Sequence, residues 1–142
     1  MSHHYLEQST YLSVLSRSPA AMVKLFADVL IPTLVSIEVL RNRTGLVMVP
    51  MQDSGQGAAF YLGEALVAEA HVRVGEVEGY AACLGRDLGQ ALAIALIDAA
   101  VVAGIAQEQI AAFVQAQAAA LDGADRQLVQ QVETTRVEME TF

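Results

Sequence analysis

The chain is short of the residue types that carry paired chemistry. It has one cysteine, Cys83, so no internal disulfide can form and a reducing cytoplasm is the expected compartment. Its three histidines are His3, His4 and His71, with no HxxxH spacing and no cysteine cluster, so neither a metal site nor a cofactor is expected. His3–His4 reads as a mobile terminal pair. Basic residues are scarce: 8 Lys and Arg stand against 16 Asp and Glu, a net charge of −8. That balance disfavours nucleic acid, and it disfavours this chain alone as the main site for a polyanion such as ATP. The N-terminus MSHHYLEQST lacks the apolar core of a signal peptide. Leu88–Ala106 is long enough for a membrane span, but Gln90 and Asp98 interrupt it. An Asp at mid-bilayer costs roughly 2.5–3.5 kcal/mol on insertion scales, so no span is expected.

What the chain does have is apolar bulk. Its 142 residues, 54% of them hydrophobic, suffice for one domain, 1–142, with a sizeable core. A domain of this size buries only about 68–70% of its unfolded surface. Some apolar surface is therefore expected to meet other chains, and the isolated protein is expected to form a homo-oligomer, a dimer.

The rest of the chain is organised around Gly79–Gly104. This stretch reads as a strand end, a Gly85-Arg86-Asp87 corner and a helix. Gly85 supplies the backbone freedom of a sharp exit. Asp87 suits an N-cap and the positive end of the helix dipole. From Leu88 to Ala103 only Gly89, Gln90 and Asp98 break the apolar run, which predicts a central helix buried on most sides. Gly104 is placed to end it.

Before that stretch, Leu6–Ser16 has weak helical spacing on Tyr11, Leu12 and Leu15. Ser18-Pro19 reads as N-cap and first helical residue, with Met22, Leu25, Phe26 and Val29 as the apolar face. Ile31-Pro32 ends that helix. Val35, Ile37 and Val39 then alternate with polar residues as a strand. Asn42–Gly45 reads as a turn, and Leu46–Met51 as the returning strand of a hairpin. After a Gly-containing loop, Phe60–Val74 is a long strand, with Leu66, Ala68, Ala70, Val72 and Val74 on one face and Val67, Glu69, His71 and Arg73 on the other. Gly75-Glu76 is a tight turn, and Val77–Leu84 returns. Beyond Gly104, Ile110, Phe113 and Val114 mark a helix that Asp122-Gly123 is expected to break. Asp125 then caps a last helix with Leu128 and Val132, and Arg136–Met139 is read as a short strand. The expected class is α+β: an antiparallel sheet of about four strands packed against helices.

No catalytic set emerges. Gly55-Gln56-Gly57 fails the dinucleotide fingerprint, since Phe60 stands where the third Gly belongs, and it lacks a Gly-Lys-Ser/Thr. Arg86-Asp87 serves either as a substrate clamp or as an ion pair and cap. His71 shares a strand face with Glu69, a pair capable of acid–base work, but neither a nucleophile nor an orienting group accompanies it. A solvated or partner-facing surface is the favoured reading. Asp98 needs a partner, either an Arg of this chain or another subunit, because an unpaired buried charge is very costly. Cys83 is read as core.

Four blocks, in order, resemble the PhnG family of the bacterial carbon–phosphorus lyase system. They are Thr44-Gly45-Leu46-Val47 preceded by Arg41 and Arg43; Gly55-Gln56-Gly57-Ala58-Ala59-Phe60-Tyr61-Leu62-Gly63-Glu64; Gly79-Tyr80 with Gly85-Arg86-Asp87 and Ala95-Leu96-Ile97-Asp98-Ala99; and Thr135-Arg136-Val137-Glu138. The resemblance implies a non-catalytic or accessory subunit in phosphonate breakdown. Its implied partners are PhnI, PhnH and PhnJ, together with the ATPase-like PhnL and PhnK. Its implied task is to support formation of ribose 1-methylphosphonate 5-triphosphate from ATP and methylphosphonate. Gly85, Arg86, Asp87, His71 and Glu69 are the expected interface or ligand residues. The chain departs from the family pattern at Leu88, where Lys is usual, at Ala91-Leu92, at Ala68-Glu69, where Thr-Arg is usual, and at Met139-Glu140. Two rival readings are an independent enzyme using His71, Glu69 and Arg86, and a homo-oligomeric scaffold unconnected with phosphonates.

Overall fold

The computed structural model describes residues 3–52 and 59–140, with side chains over 4–48 and 63–127. Its elements are α1 (Gln8–Arg17), α2 (Ala20–Leu30), β1 (Ile37–Gln52), β2 (Ala59–Val74), β3 (Val77–Leu84), α3 (Leu88–Ala103) and α4 (Gln107–Glu140). Among the described residues the strands form one antiparallel sheet in the order β1-β2-β3. The class is α+β, with three strands rather than four.

The missing strand is the expected hairpin at Asn42–Gly45. These residues run straight through β1, paired with Ala70, Glu69, Ala68 and Val67. The turn signal is overridden by pairing with β2 and by contact with the start of α3. With its nitrogen turned inward, the Asn42 amide donates to the Leu88 and Glu69 carbonyls at 3.3 and 3.1 Å, and Gly45 keeps a negative φ. The chain reverses between β1 and β2 instead. The Gly55-Gln56-Gly57 loop lies outside the described residues.

Alternation in β2 sets the two sheet faces. Ala68, Ala70, Val72 and Val74 are buried, with Ala81 and Cys83 of β3 beside them, under α3. At the β2–β3 turn Gly75 takes the positive φ (61°) that a tight reversal needs. Gly79 is the point of closest approach between sheet and helix. A Cβ there would stand 2.1 Å from the Ala95 carbonyl oxygen and 2.7 Å from the Ala99 nitrogen, so only glycine fits.

α3 buries Gln90, Ala91 and the whole run Ala93–Ala100, Asp98 included. Asp87 caps it, its carboxylate accepting from the Gln90 N–H at 3.0 Å. Gly104 closes it in the left-handed conformation (φ 76°). α1 contributes Tyr11, Val14 and Leu15 to the core.

Three further expectations are corrected. Ser18 does not cap α2: its hydroxyl donates back to the Val14 carbonyl at 2.7 Å, closing α1. The face of α2 turned inward is Val23, Ala27 and Leu30, while Met22, Leu25 and Val29 are exposed. Phe26 is half-buried and stacks on Phe113 of α4, ring centres 4.2 Å apart. Finally, α4 is continuous from Gln107 to Glu140, so Asp122-Gly123 does not break it and Arg136–Met139 is helical. A helical Gly costs only about 1 kcal/mol relative to Ala, which the flanking Ala and Gln residues tolerate. The side chains of Leu128 and Val132 lie outside the described set. Among the described residues no helix is long and apolar enough to cross a membrane.

Candidate functional site

The sheet face away from α3 carries a polar network. Odd-numbered residues of β2 project there, and antiparallel register sets Arg43 of β1 opposite Glu69 and Tyr80 of β3 opposite His71. Glu69 is the hub. Its Oε1 accepts from Arg43 Nε at 2.7 Å and lies 3.7 Å from Arg41 Nη1. Its Oε2 accepts from the Tyr80 hydroxyl at 2.6 Å. The Tyr80 hydrogen bond, and then that from Arg43, holds the Glu69 carboxyl below the usual carboxylate range. The same bond pushes the Tyr80 phenol up.

Glu69 and His71 therefore share a face as expected, but they are not a pair. The His71 imidazole meets Glu78, with Nε2 3.3 Å from Oε1, and lies edge-on to Tyr80. Arg73 is held by Glu38 at 3.1 Å, with Glu78 at 4.0 Å. Each carboxylate of this face is engaged by a basic side chain or a phenol.

The Gly85-Arg86-Asp87 corner sits at the far end of β3. Gly85 has φ 105°, and its N–H donates to the Leu66 carbonyl at 2.9 Å. Asp87 pairs with Lys24 of α2 at 2.9 Å, not with Arg86. Lys24, and then the Gln90 N–H, holds its carboxyl below the usual range. Arg86 is exposed between exposed Leu84 and Leu88 and forms no ion pair among the described residues.

Asp98 is the most constrained charged group, 2% exposed within α3. Its partners are not arginines. Oδ1 accepts from the Tyr11 hydroxyl, and from Gln8 Nε2 at 3.2 Å, while Oδ2 accepts from the Tyr80 backbone N–H at 2.9 Å. Burial, and then Asp98, pushes the Tyr11 phenol up. One carboxylate thus ties α1, α3 and β3 together, and Tyr80 links it through the sheet to Glu69. Asp98 stands out in the sequence, whereas Tyr11, Gln8 and Tyr80 do not stand out as its partners. The usable signal was the excess of donors that a buried carboxylate demands.

Cys83 is buried and free, its thiol pushed up by burial and by Asp87, which makes it core and not a nucleophile. Among the described residues no group of three His, Cys, Asp or Glu side chains is arranged to hold a metal ion.

Comparison with known proteins identifies the same family as the sequence blocks. The model of the family described as "Phosphonate metabolism protein PhnG" matches residues 7–142. A curated protein of Rhizobium meliloti (strain 1021), named alpha-D-ribose 1-methylphosphonate 5-triphosphate synthase subunit PhnG, is 39% identical over 101 residues. The match covers 70% of this chain and 64% of that protein.

Proposed function

The chain belongs to the PhnG family, and from that premise we propose that it is an accessory subunit of a cytoplasmic carbon–phosphorus lyase core complex. In this role it supports formation of ribose 1-methylphosphonate 5-triphosphate from ATP and methylphosphonate without supplying catalytic groups of its own. Its partners are PhnI, PhnH and PhnJ, with the ATPase-like PhnL and PhnK. The name of the Rhizobium meliloti relative, a synthase subunit, supports this reading.

The observation that carries it is apolar surface without cover. Leu46, Val47 and Met48 of β1 are 63%, 44% and 53% exposed, and Leu84 beside the corner is 77% exposed. Met22, Leu25 and Val29 add an open stripe on α2. Apolar surface on this scale in a small domain suits burial by other chains. Gly85, Arg86, Asp87, His71 and Glu69 fall to the polar part of the interface. Arg86 and Tyr80 are of the residue types that most often anchor contacts. Alone, the protein associates as a dimer through apolar surface away from the β1 edge, such as the Met22, Leu25 and Val29 stripe of α2.

The test is co-expression with the PhnH, PhnI and PhnJ proteins of the same source, followed by size exclusion with mass determination. Co-elution is expected, with weaker recovery for Arg86→Ala. Assembly of the partners without this chain would overturn the reading.

A further inference from the structure

The two edges of the sheet are treated differently. β3 is closed. The Tyr80 N–H, which in an edge strand is free to receive another chain, is taken by the buried Asp98 carboxylate, and Tyr11 and Gln8 of α1 back that carboxylate. A strand laid beside β3 there would have to displace a buried charge network. β1 is open. It is 16 residues long, and among the described residues no strand pairs with its outer edge. From Ser36 to Met48 every residue is exposed except the half-buried Asn42. Its pairing with β2 is regular from Arg41 to Val49, between two register shifts. Long, exposed edges with apolar flanks are what folded chains ordinarily avoid, because they template strand addition.

We infer that the β1 edge between Arg41 and Val49 is a strand-pairing site for an extended segment of a different protein. That segment carries a carboxylate opposite Arg41 and Arg43 and apolar residues opposite Leu46–Met48. This inference deepens the accessory-subunit reading and rests on it. The chemistry of the occupant follows from charge. Two guanidiniums, Arg41 and Arg43, share one carboxylate, Glu69, which leaves an uncompensated positive charge on this edge of a chain whose net charge is −8. A second copy of β1 is a poor match. It would bring two more arginines, and its acid, Glu38, lies beyond the register shift between Val39 and Arg41. Main-chain pairing gives such a contact its affinity, while alternating side chains and the carboxylate give it register.

The test uses the full chain, alone and co-expressed with the PhnH, PhnI and PhnJ proteins of its source. Amide hydrogen exchange is followed over residues 39–49, with the buried run Ala93–Ala100 of α3 as the reference. In the assembled complex the edge-facing amides of β1 should slow by about tenfold or more relative to the isolated chain. Leu46→Lys, and the double variant Arg41→Glu/Arg43→Glu, should each lower recovered complex by about tenfold while the circular dichroism of the isolated chain stays unchanged. Assembly without protection of β1, or undiminished assembly of Leu46→Lys, would overturn the edge site and leave the subunit reading standing. Protection already present in an isolated dimer would overturn the choice of a different protein as occupant. Failure of the wild-type chain to assemble would overturn the subunit reading and this inference with it.

Discussion

Removing one hydroxyl should show what holds the N-terminal helix to the core. Tyr11 is 1% exposed and donates to Asp98 Oδ1, itself inside α3. Tyr11→Phe keeps the ring volume, so no cavity term arises, and it strips one donor from a buried carboxylate whose same oxygen keeps only Gln8 at 3.2 Å. A hydrogen bond to a charged group contributes about 1.5–3 kcal/mol. With an unfolding entropy near 2.1 cal/mol/K per residue, a chain of this length should lose about 5–10 °C in Tm. Thermal and urea unfolding of Tyr11→Phe, Asp98→Asn and the double variant give the coupling between the two side chains. A second readout is pH. The folded phenol lies above its ordinary value of 10.0, so its contribution is complete below that value and is lost as pH rises through and beyond it. Tyr11→Phe should remove that alkaline loss. A Tyr11→Phe cost below about 0.5 kcal/mol with no coupling to Asp98 would refute the argument.

Other perturbations have equally definite outcomes. Gly79→Ala forces a Cβ to 2.1 Å from the Ala95 carbonyl, so it should cost at least the upper part of the ~1–3 kcal/mol overpacking range, read by urea unfolding. Asp87→Ala removes the α3 cap and should cost about 0.5–2 kcal/mol at neutral pH. Because the folded Asp87 carboxyl lies below its ordinary value, that difference should be present above the ordinary value and fade as pH falls through it, measured by unfolding from pH 6 down to about pH 2. Ala106 joins α3 to α4 with φ 53°, so Ala106→Gly should stabilise by about 0.5–1 kcal/mol, checked by Tm.

Local signals were legible where their causes are local. The Asp87 cap, the Gly104 stop and the alternation of β2 each depend on neighbours within a few residues, and each stands as expected. The turn expected at Asn42–Gly45 depended on neighbours distant in sequence: Glu69 of β2 and Leu88 at the start of α3 supply acceptors for the Asn42 amide, and the segment stays extended. In α2 both Met22-Leu25-Val29 and Val23-Ala27-Leu30 satisfy helical spacing, and only the position of α3 selects the second as core. The His71–Glu69 pairing failed for a similar reason. Neighbours on one strand face share a direction, but cross-strand Arg43 and the Tyr80 hydroxyl reach Glu69, which leaves His71 to Glu78. The Asp98 network joins residues as far as 90 positions apart in sequence, and periodicity carries no information about that.

An accessory subunit of this kind should work only as part of an assembly. The most direct test is the mass of the complex recovered when the chain is co-expressed with the PhnH, PhnI and PhnJ proteins of its own source. One species containing this chain at fixed stoichiometry, stable through size exclusion, is expected. A complex of the other proteins that forms and survives without it, with this chain eluting separately, would rule out the subunit role.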